Sequence, residues 1–462
     1  MNKPTLTANA APIRGERGTT GEHVRACGRC SGAAQVEPRA MKILYVCADA
    51  GIPVLGRKGA SVHVRELIAA FARGGHRVTL AAQSLTKSPD QTPSRVRARV
   101  IHVPPDPAAA TATRVFKEFN ERLGLENALP GELRRILYNE TLYRNLKRRF
   151  LRHKPAFIYE RASLYSTAGV RLAAEFNVPH IVELNAPLAA EQAAYRATGF
   201  GALAAQAEQW TLTRADAVVV VSHELAQHVK SLGVPARKIH VMPNGVNAQL
   251  FYPAKGSVRR SPCADGRRRR SGVPAATRPT LGFVGGLRPW HGVEILPELL
   301  ERLRQRHPDV RLIIVGDGQL KGELKRAFEK RGLARSVRFA GLVPHEQVPA
   351  AIRKFDLALA PYPKHDHDFY FSPLKLFEYM ACGVAVVAAR QGQIAALVRH
   401  GDTGWLYPPG DLRELTEGCE RLLTNDALRR KVGAAAAKFV HEQFTWDKNA
   451  ARVVALAKRL RA

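Results

Sequence analysis

The sequence predicts an α/β protein built from two Rossmann-like domains that face one cleft. Its 462 residues are too many for one ordinary hydrophobic core and suit two domains. Buried-strand patterns alternate with helical patterns in two series, beginning at residues 41 and 281, and this alternation is typical of parallel sheets. Residues 252–279 lie between the two series and are rich in Pro, Gly and Arg. We interpret them as a linker that carries an Arg-rich insertion.

The first series predicts an N-terminal domain over residues 41–251. A buried strand at 41–46 is followed by a helix with apolar residues at helical spacing, which Ser61 is placed to cap and Gly74 and Gly75 to end. A second strand follows at 76–81. Further strands are expected at 157–159, 180–184, 217–221 and 239–242, and helices at 132–152 and 202–213.

The second series predicts a C-terminal domain over residues 280–442. Its strands are expected at 281–284, 310–315, 337–339, 357–359 and 385–388, and its helices at 292–305 and 321–331. A last helix at 446–461 is placed to pack back across the first domain, so we assign about 443–462 to that domain.

The distribution of charge narrows the class of partner. The chain has 71 basic and 40 acidic residues and a formal net charge of +31, which suits nucleic acid, anionic lipid or phosphorylated ligands. Much of the excess lies at 259–260 and 267–270, with few aromatic residues interleaved to stack on bases. We therefore expect no nucleic-acid partner, and attraction to an anionic membrane surface fits better.

The remaining composition predicts a reduced, cytoplasmic protein. Residues 1–40 show neither helical nor strand periodicity, so we expect a disordered basic extension. They lack the apolar core of a secretory signal, and no apolar run approaches the roughly 20 residues of a membrane span. Cys27 and Cys30 form a CxxC pair without the second pair that a zinc site needs.

The most informative segment is the short helix predicted at 372–383. Ser372 suits its N-cap, Pro373 its first position and Gly383 its end. The free N–H groups at its start and the charge of Lys375 predict an anion site that fits a diphosphate. Glu378 lies one turn further on, where it can accept hydrogen bonds from a ribose diol. These residues alone also suit a surface helix with an ordinary Lys–Glu pair.

Two glycine turns make the diphosphate interpretation the stronger one. Gly285 and Gly286 follow the first strand of the second domain, which allows the backbone and Arg288 to approach phosphate groups. Gly316 follows the next strand in the same way. Ligands of open α/β sheets bind at the carboxyl ends of the strands, so we expect these turns to share one site.

From residue 41 onward the chain resembles the retaining glycosyltransferases of glycosyltransferase family four, which have the GT-B fold. The matching segments are 74–78 (GGHRV), 215–222 (ADAVVVVS), 243–247 (PNGVN), 315–318 (VGDG), 339–344 (FAGLVP), 377–383 (FEYMACG) and 404–411 (GWLYPPGD). The resemblance implies transfer of a sugar from a nucleoside-diphosphate sugar to an acceptor hydroxyl with retention, without a metal or other cofactor. It also implies a role in surface polysaccharide or glycoconjugate synthesis, where acceptors are commonly lipid-linked.

The resemblance also implies roles for individual residues. Glu378 would bind the donor ribose, and backbone near Val343 would contact the nucleobase. Basic residues would neutralise the diphosphate. The family's usual Arg and Lys fall on Gly286 and His291 here. We therefore expect Arg288 and Lys375 to carry that charge instead, with His291 as a neutral or protonated helper. The other residues expected around the donor are Ser372, Pro373, Leu374, Gly285, Gly286 and Gly316.

The chain departs from the family pattern at several positions. The family often has a second Glu eight positions before Glu378, where this chain has Tyr370; Asp366 or Asp368 is the candidate catalytic substitute. Gly59 and Asn185 are the candidates on the first-domain side, and many relatives have His in place of Asn185. Two alternatives stay open at this point, a nucleotide-sugar epimerase on the same fold and a catalytically decayed sugar-nucleotide-binding protein.

Overall fold

A computed structural model describes residues 40–86, 95–195, 198–254 and 278–462. The predicted extension before Ala40, with its CxxC pair, lies outside the described residues, and so does the Arg-rich insertion. The predictions made for those two segments are therefore untested. Everything below concerns the described ranges.

The first sheet has seven parallel strands in the described part of the chain, in the order β3-β2-β1-β4-β5-β6-β7. The strands are β1 (Lys42–Cys47), β2 (Arg77–Ala82), β3 (Arg99–His102), β4 (Phe157–Arg161), β5 (His180–Leu184), β6 (Ala217–Val220) and β7 (Ile239–Val241). The helices between them are α1 (Gly59–Arg73), α2 (Pro107–Arg122), α3 (Leu129–Phe150), α4 (Ala168–Phe176), α5 (Leu188–Tyr195), α6 (Gly201–Arg214) and α7 (His223–Ser231).

Among the described residues from 278 onward, the second sheet has six parallel strands in the order β10-β9-β8-β11-β12-β13. They are β8 (Thr280–Val284), β9 (Arg311–Val315), β10 (Val337–Gly341), β11 (Leu357–Ala360), β12 (Ala385–Ala389) and β13 (Trp405–Tyr407). The helices are α8 (Leu296–Arg306), α9 (Lys321–Lys330), α10 (Val348–Ile352), α11 (Leu374–Ala381), α12 (Gly392–Leu397), α13 (Leu412–Thr424), α14 (Asp426–Gln443) and α15 (Trp446–Arg461).

Both sheets reverse their strand order beside their first strand, between β1 and β4 and between β8 and β11. Crevices at the carboxyl ends of the strands, next to such a reversal, are where open α/β sheets bind ligands. The predicted fold of two Rossmann-like domains is confirmed. The predicted domain boundaries stay predictions; the first sheet ends at Val241 and the second begins at Thr280.

Several helix limits differ from the sequence-based expectation. Ser61 does not cap α1, because the helix begins at Gly59 after Lys58 and Ser61 is buried inside it. The helix predicted from residue 292 begins at Leu296, because Gly292 has φ +65° between two short 3-10 turns and the second turn, Val293–Ile295, directly precedes the helix. No helix in the described ranges is both long and apolar enough to cross a membrane.

Helix α15 packs back across the first domain, as predicted. Trp446, Val453 and Ala457 belong to the same buried cluster as Tyr45 and Phe71 of the first domain. Backbone hydrogen bonds fix the return of the chain, since the Val246 N–H donates to the Phe444 carbonyl and the Trp446 N–H donates to the Val246 carbonyl. The first-domain core is therefore built from two distant parts of the sequence.

Candidate active site

Glycine turns lie side by side at the carboxyl ends of β8 and β9. The Gly285 N–H donates to the Val315 carbonyl at 2.9 Å, and the Gly316 N–H donates to the Gly341 carbonyl at 2.8 Å. Gly285 has φ +147° and Gly316 has φ +137°. A Cβ atom on Gly316 would lie 1.9 Å from the Gly285 carbonyl oxygen, so only glycine permits this approach. Gly286 is different, because a Cβ there would have no neighbour closer than 3.6 Å.

Lys375 lies directly beneath the first of these turns. The residue is 8% exposed, and its Nζ has no hydrogen-bond partner in the part of the chain that the structure describes. Nζ lies 4.3 Å from the ring centroid of Phe283 and 5.2 Å from that of Tyr362. Burial lowers the pKa of Lys375 to about 7, although Glu378 partly opposes the shift. A buried ammonium without an acceptor is costly, and an anionic ligand group would remove that cost.

His291 lies between the two predicted phosphate-binding cations. Burial lowers its pKa to about 3, and the charges of Lys375 and Arg288 add to the effect. Its Nδ1–H donates to the Gly286 carbonyl at 2.5 Å, because a carbonyl oxygen can only accept. The structure therefore favours the neutral form of the two that the sequence left open, with Nε2 as an acceptor.

Arg288 is held beside the site and is not aimed freely into it. Its Nη1 donates to Gln319 Oε1 at 2.6 Å, and its guanidinium lies 5.7 Å from the Trp290 ring centroid. Its charge still lowers the pKa of His291, which places it in the same electrostatic neighbourhood as Lys375.

Helix α11 begins one residue later than predicted. Its N-cap is Pro373, so Ser372 is not the cap. The Ser372 hydroxyl instead accepts from the Asn244 N–H at 3.0 Å, and its carbonyl accepts from Asn244 Nδ2 at 2.6 Å. The predicted end is confirmed, because Gly383 follows the C-cap with φ +72°. The start of α11 is thus tied to the segment after β7 of the first domain.

The far end of the same site joins three titratable side chains from two domains. Glu378 is 8% exposed, and its Oε1 accepts from His345 Nε2–H at 2.9 Å. The Nδ1 atom of His345 lies 3.7 Å from Oε1 of Glu66 on α1. Burial disfavours the charged imidazole, but the hydrogen bond to Glu378 and the charges of both carboxylates raise the pKa of His345 above its usual value.

Tyr370 stands where the family often has a second Glu, and it points into the first domain. Its side chain is buried in the first-domain cluster that contains Leu184 and Val220. Its hydroxyl donates to Glu191 Oε1 on α5 at 2.5 Å, and its carbonyl accepts from the Ser222 hydroxyl at 3.0 Å. The first-domain carboxylate of Glu191 is therefore hydrogen bonded to Tyr370, the residue that stands where the family often has its second Glu.

The other predicted residues are less closely assembled. Asp366 and Asp368 are exposed on the loop between β11 and α11. Val343 lies half-buried after β10 and packs against the second-domain core. Asn185 directly follows β5. Gly59 lies close to the first residue of α11, since a Cβ on it would lie 3.7 Å from Cδ1 of Leu374.

Sequence reasoning missed the residues that connect the two domains at this site, namely Glu66, Glu191, Asn244 and His345. Each is separated by more than a hundred positions from its partner across the cleft, so no local pattern links them. Two of the four had a nearby signal, because Asn244 lies within the recognised segment 243–247 and His345 directly follows the recognised segment 339–344.

Comparison with known proteins agrees with the fold. A model described as Glycosyltransferase Family 4 matches residues 57–250, and one described as Glycosyl transferases group 1 matches residues 278–425. D-inositol 3-phosphate glycosyltransferase of Corynebacterium jeikeium is 30% identical over 251 residues, 53% of this chain and 57% of that protein. Glycogen synthase of Mycobacterium tuberculosis is 26% identical over 430 residues, 91% of this chain and 95% of that protein.

Solved structures show the same arrangement of domains. Sucrose-phosphate synthase from Thermosynechococcus elongatus has a TM-score of 0.66 at 19% identity, covering 91% of this chain and 99% of that one. Anabaena HepE, solved in complex with UDP-glucose, has a TM-score of 0.61 at 19% identity, covering 90% and 99%.

Two Rossmann-like sheets with these matches define a glycosyltransferase of the GT-B fold. The chain belongs to the family 4, group 1 glycosyltransferases, and it is a glycosyl-transferring enzyme. The matches do not favour the two alternatives, an epimerase or a decayed binding protein.

Proposed function

We propose that the enzyme transfers a sugar from a nucleoside-diphosphate sugar, bound on the second domain, to an acceptor hydroxyl presented by the first. The observation that carries the proposal is the buried Nζ of Lys375, which has no hydrogen-bond partner in the described ranges. Lys375 lies in the first turn of α11, and its Nζ lies under Gly285. A diphosphate would supply the missing negative charge. The structures of Anabaena HepE in complex with UDP and with UDP-glucose support the same class of donor.

The proposed roles follow from the chemistry of each group. Cleavage of the bond to the sugar builds negative charge on the departing diphosphate, and Lys375 and the N–H groups at the start of α11 would stabilise it. Arg288 would add its charge from the rim. Glu378 would accept hydrogen bonds from the ribose diol, and backbone near Val343 would contact the nucleobase. No step requires a metal.

We propose retention by attack on the same face of the sugar, with the leaving phosphate helping to deprotonate the acceptor hydroxyl. The exposure of Asp366 and Asp368 supports this route, because a carboxylate nucleophile would have to be held beside the sugar. A covalent sugar adduct on either residue, found by mass spectrometry of enzyme stalled with a slow donor, would overturn it.

The first domain offers a pocket for the acceptor. A pocket at the surface of this domain is lined by residues that include Asp49, Arg135, Asn139 and Glu191. Glu191 also accepts from Tyr370 of the second domain, so this pocket adjoins the loop that precedes α11. Its lining suits a hydroxyl-rich acceptor, which agrees with the expected role in polysaccharide or glycoconjugate synthesis.

We also propose that the enzyme works at the cytoplasmic face of an anionic membrane. Val115, Phe119 and Leu123 lie along one side of α2 and are each more than half exposed. Helix α3 packs against α2 and has three basic residues, Lys147, Arg148 and Arg149, in its last turn. The whole chain has a formal net charge of +31. Apolar residues beside basic ones suit the headgroup region of anionic lipids.

Sedimentation with vesicles tests the membrane proposal. The wild-type protein should pellet with vesicles that contain phosphatidylglycerol and much less with pure phosphatidylcholine. Changing Phe119→Ser and Leu123→Ser together should release it without changing thermal stability. Equal recovery of wild type and variant with the anionic vesicles would contradict this use of α2.

Thermal unfolding with UDP, GDP, ADP, TDP and CMP tests the donor proposal. A ligand at about 100 times its Kd adds about 2.7 kcal/mol to the free energy of unfolding, so one nucleotide should stabilise the wild type clearly. It should stabilise Glu378→Ala and Lys375→Met much less. If none of the five stabilises the wild type, the proposed donor class is wrong.

A further inference from the structure

Glu66, His345 and Glu378 form a continuous row between the two domains. Glu66 lies on α1 of the first domain, Glu378 on α11 of the second, and His345 in the 3-10 turn after β10. Their side chains are only 11–14% exposed. Nε2–H of His345 donates to Glu378 Oε1 at 2.9 Å, and Nδ1 lies 3.7 Å from Glu66 Oε1.

The groups around this row hold His345 in a single orientation. The Phe251 ring packs at 5.3 Å from the imidazole, between centroids. Asn247 Nδ2 donates to the other oxygen of Glu66 at 2.9 Å. Arg65, beside Glu66 on α1, is committed to the carbonyls of Val54 and Gly56.

The charges explain why a histidine suits this place. Burial raises the pKa of Glu66, and the charge of His345 opposes that shift. Arg65 is the nearby cation that acts against protonation of His345, while Glu66 and Glu378 act in favour of it. One imidazolium between two buried carboxylates leaves neither of them without a partner.

We propose that His345 is a positioning residue for donor binding: it fixes the carboxylate of Glu378 for the ribose diol and couples it, through Glu66, to the first domain. The proposal rests on the proposed function, in which Glu378 binds the donor ribose. The His345 bond occupies Oε1 of Glu378 and leaves Oε2 to accept from a ribose hydroxyl. A carboxylate fixed through Oε1 presents Oε2 to the diol in a defined direction, whereas a freely rotating carboxylate does not.

The test removes the histidine and the diol separately and together. The probe is whichever nucleoside diphosphate most stabilises the wild type, compared with its 2′,3′-dideoxy form, and Kd is measured by calorimetry. His345→Gln should weaken binding of the diol-containing nucleotide by about tenfold, the scale of one hydrogen bond to a charged group. It should leave binding of the dideoxy form within about twofold, because that ligand makes no use of Glu378.

Controls separate the positioning role from a structural one. His400→Gln changes an exposed histidine of the same domain whose Nδ1 accepts from the Leu406 N–H, and it should affect neither nucleotide. Should His345→Gln unfold early, His345→Asn is the second variant. Equal weakening of both nucleotides by the His345 variants would overturn the proposal, because the loss would then not depend on the diol.

The coupling to the first domain has its own outcome. Glu66→Gln should weaken the diol-containing nucleotide less than His345→Gln, and the double variant should bind like His345→Gln alone. Strictly additive losses would mean that Glu66 acts independently. If wild type binds and Glu378→Ala abolishes the preference for the diol while His345→Gln does not, only the His345 inference fails. If no nucleoside diphosphate binds the wild type, the proposed function itself fails.

Discussion

Each domain has a buried ionisable side chain near the carboxyl ends of its strands, Glu160 on β4 and Lys375 on α11, but only Glu160 is hydrogen bonded to other described side chains. In the first domain both oxygens of Glu160 are hydrogen bonded, to His180 Nε2 at 2.8 Å and to the Ser166 hydroxyl at 2.6 Å. In the second domain the Nζ of Lys375 has no such partner among the described residues.

A glycine makes room for the charge in both cases. A Cβ on Gly169 would lie 1.7 Å from Glu160 Oε2, and one on Gly285 would lie 2.7 Å from Lys375 Nζ. The comparison shows that a glycine beside a buried charged side chain does not by itself indicate a ligand site. The absence of a hydrogen-bond partner for Lys375 Nζ among the described residues does indicate one, because a buried charge without a partner destabilises the fold and is typical of functional sites.

The largest expected effect on stability comes from breaking the first-domain pair. His180→Leu leaves the Glu160 carboxylate buried with Ser166 as its remaining partner, and this should lower the free energy of unfolding by about 3–5 kcal/mol. Urea unfolding measures it. The double variant Glu160→Met, His180→Leu should recover most of the loss, and a double variant as unstable as the single one would show that packing, not charge, sets the cost.

Lys375→Met should produce the opposite pattern. The variant removes an unpaired buried cation, so the protein should be as stable as wild type or more so. Its kcat/KM should fall by about 10²–10³-fold, because a charged donor to the leaving group is lost. Steady-state kinetics and thermal unfolding on the same sample check both parts. A destabilised variant with normal turnover would remove the distinction between the two sheets.

Gly285→Ala and Gly286→Ala form a matched pair. The Cβ of alanine at 285 would lie 2.7 Å from Lys375 Nζ, and φ at this position is +147°, which side-chain-bearing residues rarely adopt. We therefore expect a loss of about 1–3 kcal/mol in the free energy of unfolding together with weaker nucleotide binding. Alanine at 286 meets no atom closer than 3.6 Å and should fold normally. Similar unfolding curves for the two variants would contradict the close approach of Gly285 to Lys375.

Proton uptake should accompany donor binding. Lys375 has a pKa of about 7 against an ordinary 10.5, so it is about half protonated at pH 7 in the free enzyme, and an anionic ligand raises its pKa again. Affinity for the nucleoside diphosphate should therefore fall as pH rises above 7. Lys375 also makes the unliganded protein more stable as pH rises from 7 to 10.5. Over this range the Lys375 amine is neutral in the folded protein and protonated in the unfolded chain, so rising pH disfavours unfolding.

Calorimetry in buffers of different ionisation enthalpy measures the uptake directly. At pH 7 the wild type should take up about half a proton on binding, the fraction that Lys375 lacks when its pKa equals the pH. Lys375→Met should remove that contribution. Uptake that is unchanged in the variant would assign the proton to another group.

The fold could be predicted from the sequence, but the contacts that connect the site residues across the two domains could not. The strand at 180–184 and the helix at 446–461 were predicted to the residue. The edge strand β3 was not, because it buries only Ile101 of its four residues, and β13 was not predicted either. Ser61 and Ser372 were wrong as caps, because α1 begins two residues before Ser61 and the Ser372 hydroxyl is bonded to Asn244. That Lys375 lacks a partner, and that His345 joins Glu66 to Glu378, depends on distances between remote segments.

Helix α15 also sets an order of assembly. The side chains of Trp446 and Val453 complete a core whose other members begin at Met41, and the whole second sheet is encoded between them. During synthesis, strands β1 to β7 are made long before the residues of α15 that complete their core. All six strands of the second sheet lie between these two parts, so they are made before the first-domain core is complete.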